Sequence, residues 1–376
     1  MNEDRATRYH RLKRQASIAS LVWRVGLLGG VLWSGLSFTL RRAAESAASS
    51  VGVAGAWNFS ASVAFYVALL ALVNETGGLP LAFYTGFVLE RRYGLSNERF
   101  GSWLRDQVKS FGIGLLVASG GIGLIYSFIR LSPGAWWLGA GAVFALLIVG
   151  VTNLGPVLIL PLFYRLKPLA RESLRVRLLS LADRAGARVL GAYEWGLGAK
   201  TKKANAALAG LGATRRILVS DTMLAEYSEE EIEVVLAHEL AHHVHGDIRK
   251  DIVFESSLIV VGFYLASRVL DALAVPVGLR SVADVAGLPL LLLAAGAVSL
   301  VMLPVAHAMS RAHERRADRF ALDLTRNPGA FISAMRRLAA QNLAEEQPSK
   351  VVQWLFYSHP PIAERIAAAE AFASSR

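Results

Sequence analysis

The chain has 376 residues, a hydrophobic share of 54%, a formal net charge of +11 and no cysteine. The lack of cysteine excludes disulfides, haem thioether links, thiolate zinc ligands and a cysteine nucleophile. The apolar excess argues against two or three soluble domains, and the basic residues sit beside apolar runs rather than in an aromatic-interleaved patch, which argues against nucleic-acid binding.

Six apolar runs are long enough to cross a bilayer, at about 18–40, 62–84, 110–130, 136–161, 252–275 and 287–309. The first is too long, and too poorly followed by a cleavage site, to be a removable signal peptide. The second contains Asn74, Glu75, Gly77 and Gly78, so it reads as a full span or as a re-entrant or broken helix. Basic clusters precede the first run (Arg5, Arg8, Arg11, Lys13, Arg14) and follow the second (Arg91, Arg92, Arg99, Arg105, Lys109). They recur after the fourth (Arg165, Lys167, Arg171, Arg175, Arg177) and the sixth (Arg311, Arg315, Arg316, Arg319). The opposite loops carry few, chiefly Arg41, Arg42 and Arg280. The positive-inside bias predicts six spans with both termini in the cytoplasm.

A polar block from about 162 to 251 separates the fourth and fifth runs, and a polar tail begins at 310. RESLRVRLLSLADRAGA opens the block with apolar residues at three and four, a helical period. After VLGAYEWGL, the stretch ANAALAGLGATRRILVSDTML reads as strand, Gly-containing turn, strand, with 206–208 pairing against 216–219. Asp221 leads into a short helix. Ser228 and Glu231 form a capping box at the start of the next one. In the tail, NPGAFISAMRRLAAQNL reads as a helix, and Pro360 and Pro361 break the chain before the last one.

The capped helix carries HELAH at 238–242. On a helix, His238 and His242 project from one face and can share a zinc ion, with Glu239 beside them to deprotonate its water. The pattern also arises by chance. A third histidine at the metzincin spacing is missing, since Gly246 is one place late and Ile248 stands where it would be. Glu314 in SRAHERRAD is the candidate third ligand, and Asp318, four residues on, the candidate to orient a ligand histidine or pair with an arginine. By spacing alone both could equally be solvated charges paired to Arg311, Arg315 or Arg319. Likewise His359 could be a turn histidine and Asn205 a turn cap. His243 points off the metal face, and His245 before Gly246 reads as a cap.

The chain resembles the integral-membrane zinc metallopeptidases related to type I CAAX prenyl protease. The resemblance rests on LPLAFYTGFVLERRYGLSNERFGSWLRDQVK at 79–109, LPLFYRLKPL at 160–169, and NAALAG through RRILVSDTMLAEYSEEEIEVVLAHELAHHVHG at 205–246. It continues with SRAHERRAD at 310–318 and the tail NLAEE through WLFYSHPPIAER at 342–365. It implies one zinc held by His238, His242 and Glu314, with Glu239 activating water. It implies that His359 reaches the substrate carbonyl or oxyanion, that Arg365 supports the substrate site and that Asn205 contacts substrate beside an edge strand. The spans are expected to enclose an intramembrane chamber capped by the protease domain. The eukaryotic members carry a further N-terminal span and an aromatic residue where His243 stands, so a smaller or more open chamber is expected here.

The expected fold is mainly α: a multi-pass transmembrane helical protein with a small α+β zincin-like metalloprotease domain. Its parts are 1–161 (four spans), 162–251 (protease block), 252–309 (two spans) and 310–376 (third ligand and SHPP tail). The expected activity is zinc-dependent cleavage of peptide or protein substrates, lipidated or membrane-embedded, on the cytoplasmic side of a bacterial inner membrane. In a bacterium no farnesylated CAAX protein is expected, and quality control of membrane proteins becomes the natural role. The alternative is a transporter or lipid-handling membrane protein with a structural zinc.

Overall fold

The computed structural model describes residues 4–52, 55–210 and 215–375. Helix α1 (Arg5–Trp33) ends where Gly35 takes a left-handed conformation (φ 71°), and α2 (Leu36–Ser50) follows at once. The first apolar run is thus divided between two helices, a correction to the span expected at 18–40. Ser34 starts the break by turning both its amide and its hydroxyl onto the Gly30 carbonyl, and glycine alone enters the next φ without strain.

The second run, open in the sequence between a full span and a broken helix, is a full span. Residues 57–92 form one continuous helix rather than a broken one: α3 (Ala56–Phe83), a π-helical turn (Tyr84–Val88) and α4 (Leu89–Arg92). Pro80 inside α3 has no N–H and crowds the preceding carbonyl turn. The wider turn just after it absorbs that misfit without ending the helix. Glu75 faces α5 (Phe100–Leu131), where Gln107 Nε2 lies 3.4 Å from its carboxylate. Helix α6 (Trp136–Leu158) and the short α7 (Leu160–Phe163) lead out of the bundle.

The polar block opens with β1 (Leu166–Pro168), α8 (Glu172–Arg184) and β2 (Gly191–Trp195). Strands β3 (Ala206–Ala209) and β4 (Arg216–Ser220) are antiparallel, with Ala206 opposite Val219 and Leu208 opposite Ile217. The turn expected between them, 211–214, lies outside the described residues. The sheet order is β1-β2-β4-β3, with β2 parallel to β4, so β3 is an edge strand. Ser220 caps α9 (Asp221–Glu226), and the Ser228–Glu231 capping box starts α10 (Glu229–Val244). Helices α11 (Asp247–Leu273) and α12 (Leu288–Thr325) return through the bundle, and α13 (Pro328–Asn342), α14 (Lys350–Phe356) and α15 (Ile362–Ser374) complete the chain.

Among the described residues, six helices are long and apolar enough to cross a membrane. They close a ring in which α1 packs on α3, α3 on α5, α5 on α6, α6 on α11, α11 on α12, and α12 on α1. Among the described residues no pair across the ring is packed comparably, and a buried cluster that includes Val31, Tyr66, Ile129, Trp136, Leu270 and Leu291 joins the spans. A separate apolar core joins the two polar segments: Leu174, Ile217, Ile232 and Leu236 from the first pack with Leu322, Phe331 and Phe372 from the second. That core holds the segments that carry the HELAH and SRAHERRAD motifs against one end of the ring.

Candidate active site

Helix α10 is held rigidly at its start. Glu231 closes the capping box with the Ser228 amide, and it also accepts from Ser333 Oγ and Arg337 Nε on α13. One turn on, Leu236, Ala237, Leu240 and Ala241 bury the helix on both flanks. His238 and His242 then face α12, which presents Glu314 and Asp318 one turn apart. The two carboxylates are each 5% exposed. Arg311, Arg315 and Arg319 bond elsewhere: Arg311 to the Gln353 and Tyr357 carbonyls, Arg315 to Glu364 and Arg319 to Asp323. The reading of Glu314 and Asp318 as solvated charges paired to those arginines does not match this structure.

The imidazoles converge on a single carboxylate. His238 Nε2 lies 3.3 Å from Glu314 Oε2, and His242 Nε2 lies 3.3 Å from Glu314 Oε1. Each ring is fixed from behind through Nδ1, His238 by Asp318 Oδ1 at 2.8 Å and His242 by Asp247 Oδ2 at 3.2 Å. Two bonds of about 2.0–2.1 Å at a tetrahedral angle place their ligand atoms roughly 3.3–3.4 Å apart. The nitrogen-to-oxygen separations here match that spacing. Glu314 is buried, so its two oxygens are directed at the imidazoles rather than at solvent. Carboxylates behind both rings fix the tautomer that turns the Nε2 lone pair inward.

Electrostatics follow from this clustering. Burial by itself favours a neutral His238, but hydrogen bonds to Asp318 and Glu314 outweigh it and lift the ring to about 9. Burial likewise opposes the charge on His242, and Glu314 again reverses the balance upward. The carboxylates of Glu314, Asp318 and Asp247 gathered around the two imidazoles make the site electronegative, which suits a dication. Glu239 is half-buried, and burial raises its carboxyl above the ordinary range against the pull of His238 and His242. Among the described residues its carboxylate has no hydrogen-bond partner, which leaves it available to a water molecule.

The remaining expected residues fall at different distances from this cluster. His359 stands beside it, with Nδ1 2.7 Å from Glu314 Oε2 and a side chain 61% exposed. Arg365, from α15, grips Asp318 with two bonds, Nε to Oδ2 at 2.8 Å and Nη2 to Oδ1 at 2.5 Å. Its guanidinium is therefore engaged beneath His238. Asn205 is exposed at the start of β3, its backbone paired with Ser220. His243 is half-buried, and His245 is the C-cap residue of α10, its ring edge-on to Phe320.

Three contributions escaped the sequence reading, those of Asp247, Arg311 and Glu345. Asp247 follows Gly246, whose left-handed φ of 65° folds the start of α11 back under His242. The glycine after HHVH was the available signal. Arg311 ties down the segment before His359 through the Gln353 and Tyr357 carbonyls, while Glu345 accepts from Tyr357 Oη and Arg14 Nη1, both at 2.5 Å. Nothing in the local sequence marks these bonds.

A family model described as peptidase family M48 matches residues 168–373. One described as the CAAX prenyl protease N-terminal region with five membrane helices matches residues 2–165. The chain is 30% identical over 344 residues to an uncharacterized metalloprotease, YhfN, of Bacillus subtilis, covering 90% of this chain and 79% of that one. It is 27% identical over 327 residues to CAAX prenyl protease 1 of Saccharomyces cerevisiae, covering 81% and 71%. The crystal structure of S. mikatae Ste24p has the same fold, with a TM-score of 0.83 at 24% identity over 97% of this chain and 87% of that one. The M48 match spans more than half of the residues and the membrane-region match takes up most of the others, so the chain belongs to peptidase family M48 as an integral-membrane metalloendopeptidase.

Proposed function

We propose that the chain is a zinc endopeptidase in which His238, His242 and Glu314 hold one zinc ion. The carrying observation is the pair of 3.3 Å separations between the two Nε2 atoms and the two oxygens of Glu314, with both rings pinned through Nδ1. Zinc supplies Lewis acidity toward a water and toward the scissile carbonyl oxygen. Glu239 removes the proton from the attacking water and returns it to the departing amine. His359, whose Nδ1 rests against Glu314, offers Nε2 to the oxyanion that develops on the substrate carbonyl. Arg365 and Asp318 act together to hold His238, and Asp247 performs the same task for His242.

The edge strand β3 suits an extended peptide, which would add to the sheet beside Asn205. The basic clusters at 5–14, 91–109, 165–177 and 311–319 all fall at the protease end of the bundle, and the positive-inside bias supports an active site on the cytoplasmic side. The ring of spans would admit substrates that are lipidated or membrane-embedded, and the alanine-, glycine-, leucine- and arginine-rich composition suits a GC-rich bacterial genome, in which the membrane would be the inner one. The role that fits is turnover of membrane proteins. Metal analysis of the purified chain tests the ligand set. About one zinc per chain is expected in the wild type, and full occupancy in a His238→Ala/His242→Ala variant would end the assignment.

A further inference from the structure

Three of the arginines at the bundle end away from the peptidase converge. Arg41 lies on α2, Arg130 ends α5, and Arg280 lies in the connection between α11 and α12, yet all three line one cavity of about 590 Å³. Glu45 and Asp284 line it as well. Arg41 Nη1 is paired with Asp284 in a buried bridge. The remaining Asp284 capacity is taken by the backbone amides of Arg280 and Ala286. Arg280 is paired with Glu45 at 2.6 Å. Arg130 is left over: it is exposed, it lies over the Phe59 ring at 4.2 Å, and among the described residues it has no carboxylate partner.

Three guanidiniums against two carboxylates leave one net positive charge in the cavity. The Arg41 Nε atom is buried with no hydrogen-bond partner, so the guanidinium has a donor to spare. Placing three arginines here runs against the charge bias of the rest of the chain, in which loops at this end are nearly free of Lys and Arg. The depth is also specific. Trp33 and Trp57, 95% and 75% exposed, flank this end of the bundle, and exposed tryptophans of a spanning protein sit at headgroup level. Guanidinium groups favour phosphate because their planar forks match its oxygens.

We propose that this cavity is a phosphate-binding site for a phosphomonoanion at headgroup depth, with Arg130 and Arg280 as its principal donors and Arg41 as its floor. A phosphodiester balances the single excess charge. The bound group would bridge α2, α5 and the α11–α12 connection, at the end of the ring opposite the active site.

Native mass spectrometry of the full chain in detergent tests this, with titrations of phosphatidylglycerol, diacylglycerol with the same acyl chains, and inorganic phosphate. Phosphatidylglycerol should be retained in preference to diacylglycerol, and Arg130→Gln/Arg280→Gln should weaken retention by about tenfold or more. Arg130→Gln alone breaks no ion pair, so it should fold as wild type and still weaken retention several-fold. Displacement of the lipid by inorganic phosphate, or binding of inorganic phosphate without lipid, would support the site with the phosphate itself as the recognised group. Lipid retention that inorganic phosphate does not reverse, but that the variants lose, would support it with a phospholipid as occupant. Equal retention by wild type and both variants, or equal capture of diacylglycerol, would overturn the proposal.

Discussion

Asp318→Asn separates two jobs that the structure gives to one carboxylate. Asp318 is 5% exposed and accepts from His238 Nδ1 and from both arms of Arg365. The asparagine keeps the shape and removes the charge. Loss of a carboxylate behind a metal-binding histidine lowers metal affinity by about 10–100-fold, since the ring loses its fixed tautomer and orientation. The Arg365 side chain, only 10% exposed, is left as a buried cation without a partner, at a cost of about 3–5 kcal/mol in folding stability. The two effects are separable with Asp318→Leu/Arg365→Met, which removes both charges. That variant should regain much of the stability while keeping the loss in metal affinity. Zinc affinity is read by competition with a series of chelators, and stability by thermal unfolding of the metal-free protein in detergent. Metal affinity within threefold of wild type in Asp318→Asn, or a double variant less stable than the single one, would refute the reasoning.

Glu314→Ala should retain folded protein and weaken zinc binding, measured by metal content after dialysis against a chelator; unchanged content would remove Glu314 from the ligand set. His359→Ala should lower kcat by roughly ten- to a thousandfold on a fluorogenic peptide without altering zinc content, and a variant with full kcat or without zinc would make the residue structural or a ligand. Single cysteines placed at Ser102 and Ser358 in this naturally cysteine-free chain should be labelled from the cytoplasmic side and one at Ser49 from the other. Labelling of the Ser358 and Ser49 positions from the same side would reject the six-span topology.

Local chemistry made much of this molecule legible from its residues. The Ser228–Glu231 capping box, the i,i+4 pairs His238–His242 and Glu314–Asp318, and the strand–turn–strand pattern that pairs Ala206–Leu208 with Arg216–Val219 are short-range patterns, and they stand where they were expected. The juxtaposition of α10 and α12 was a different matter. Eighty residues separate His238 from Asp318, and only the family resemblance, not spacing, suggested that they meet. The misread parts have physical causes. A continuous apolar run hid the Gly35 break, because hydropathy does not register backbone conformation. Residues 41–50 are small and polar, so their helix was invisible until its packing on α3 was seen. The polar residues near Glu75 left a full span and a broken helix both open, and the π-helical turn after Pro80 keeps the helix continuous. Asp247 acts through a left-handed glycine, and no helical period leads from it to His242.

The central claim is that Glu239 moves the proton for peptide hydrolysis while three other residues hold the metal. The direct test is Glu239→Gln, with zinc content, thermal unfolding and peptide turnover measured on one preparation, and with terminal-fragment mass spectrometry of membranes carrying wild type or variant. The account predicts wild-type zinc and folding, turnover lower by several orders of magnitude, and loss of the cleavage fragments that depend on the wild-type protein. Turnover at a tenth of wild type or more, with zinc in place, would contradict it.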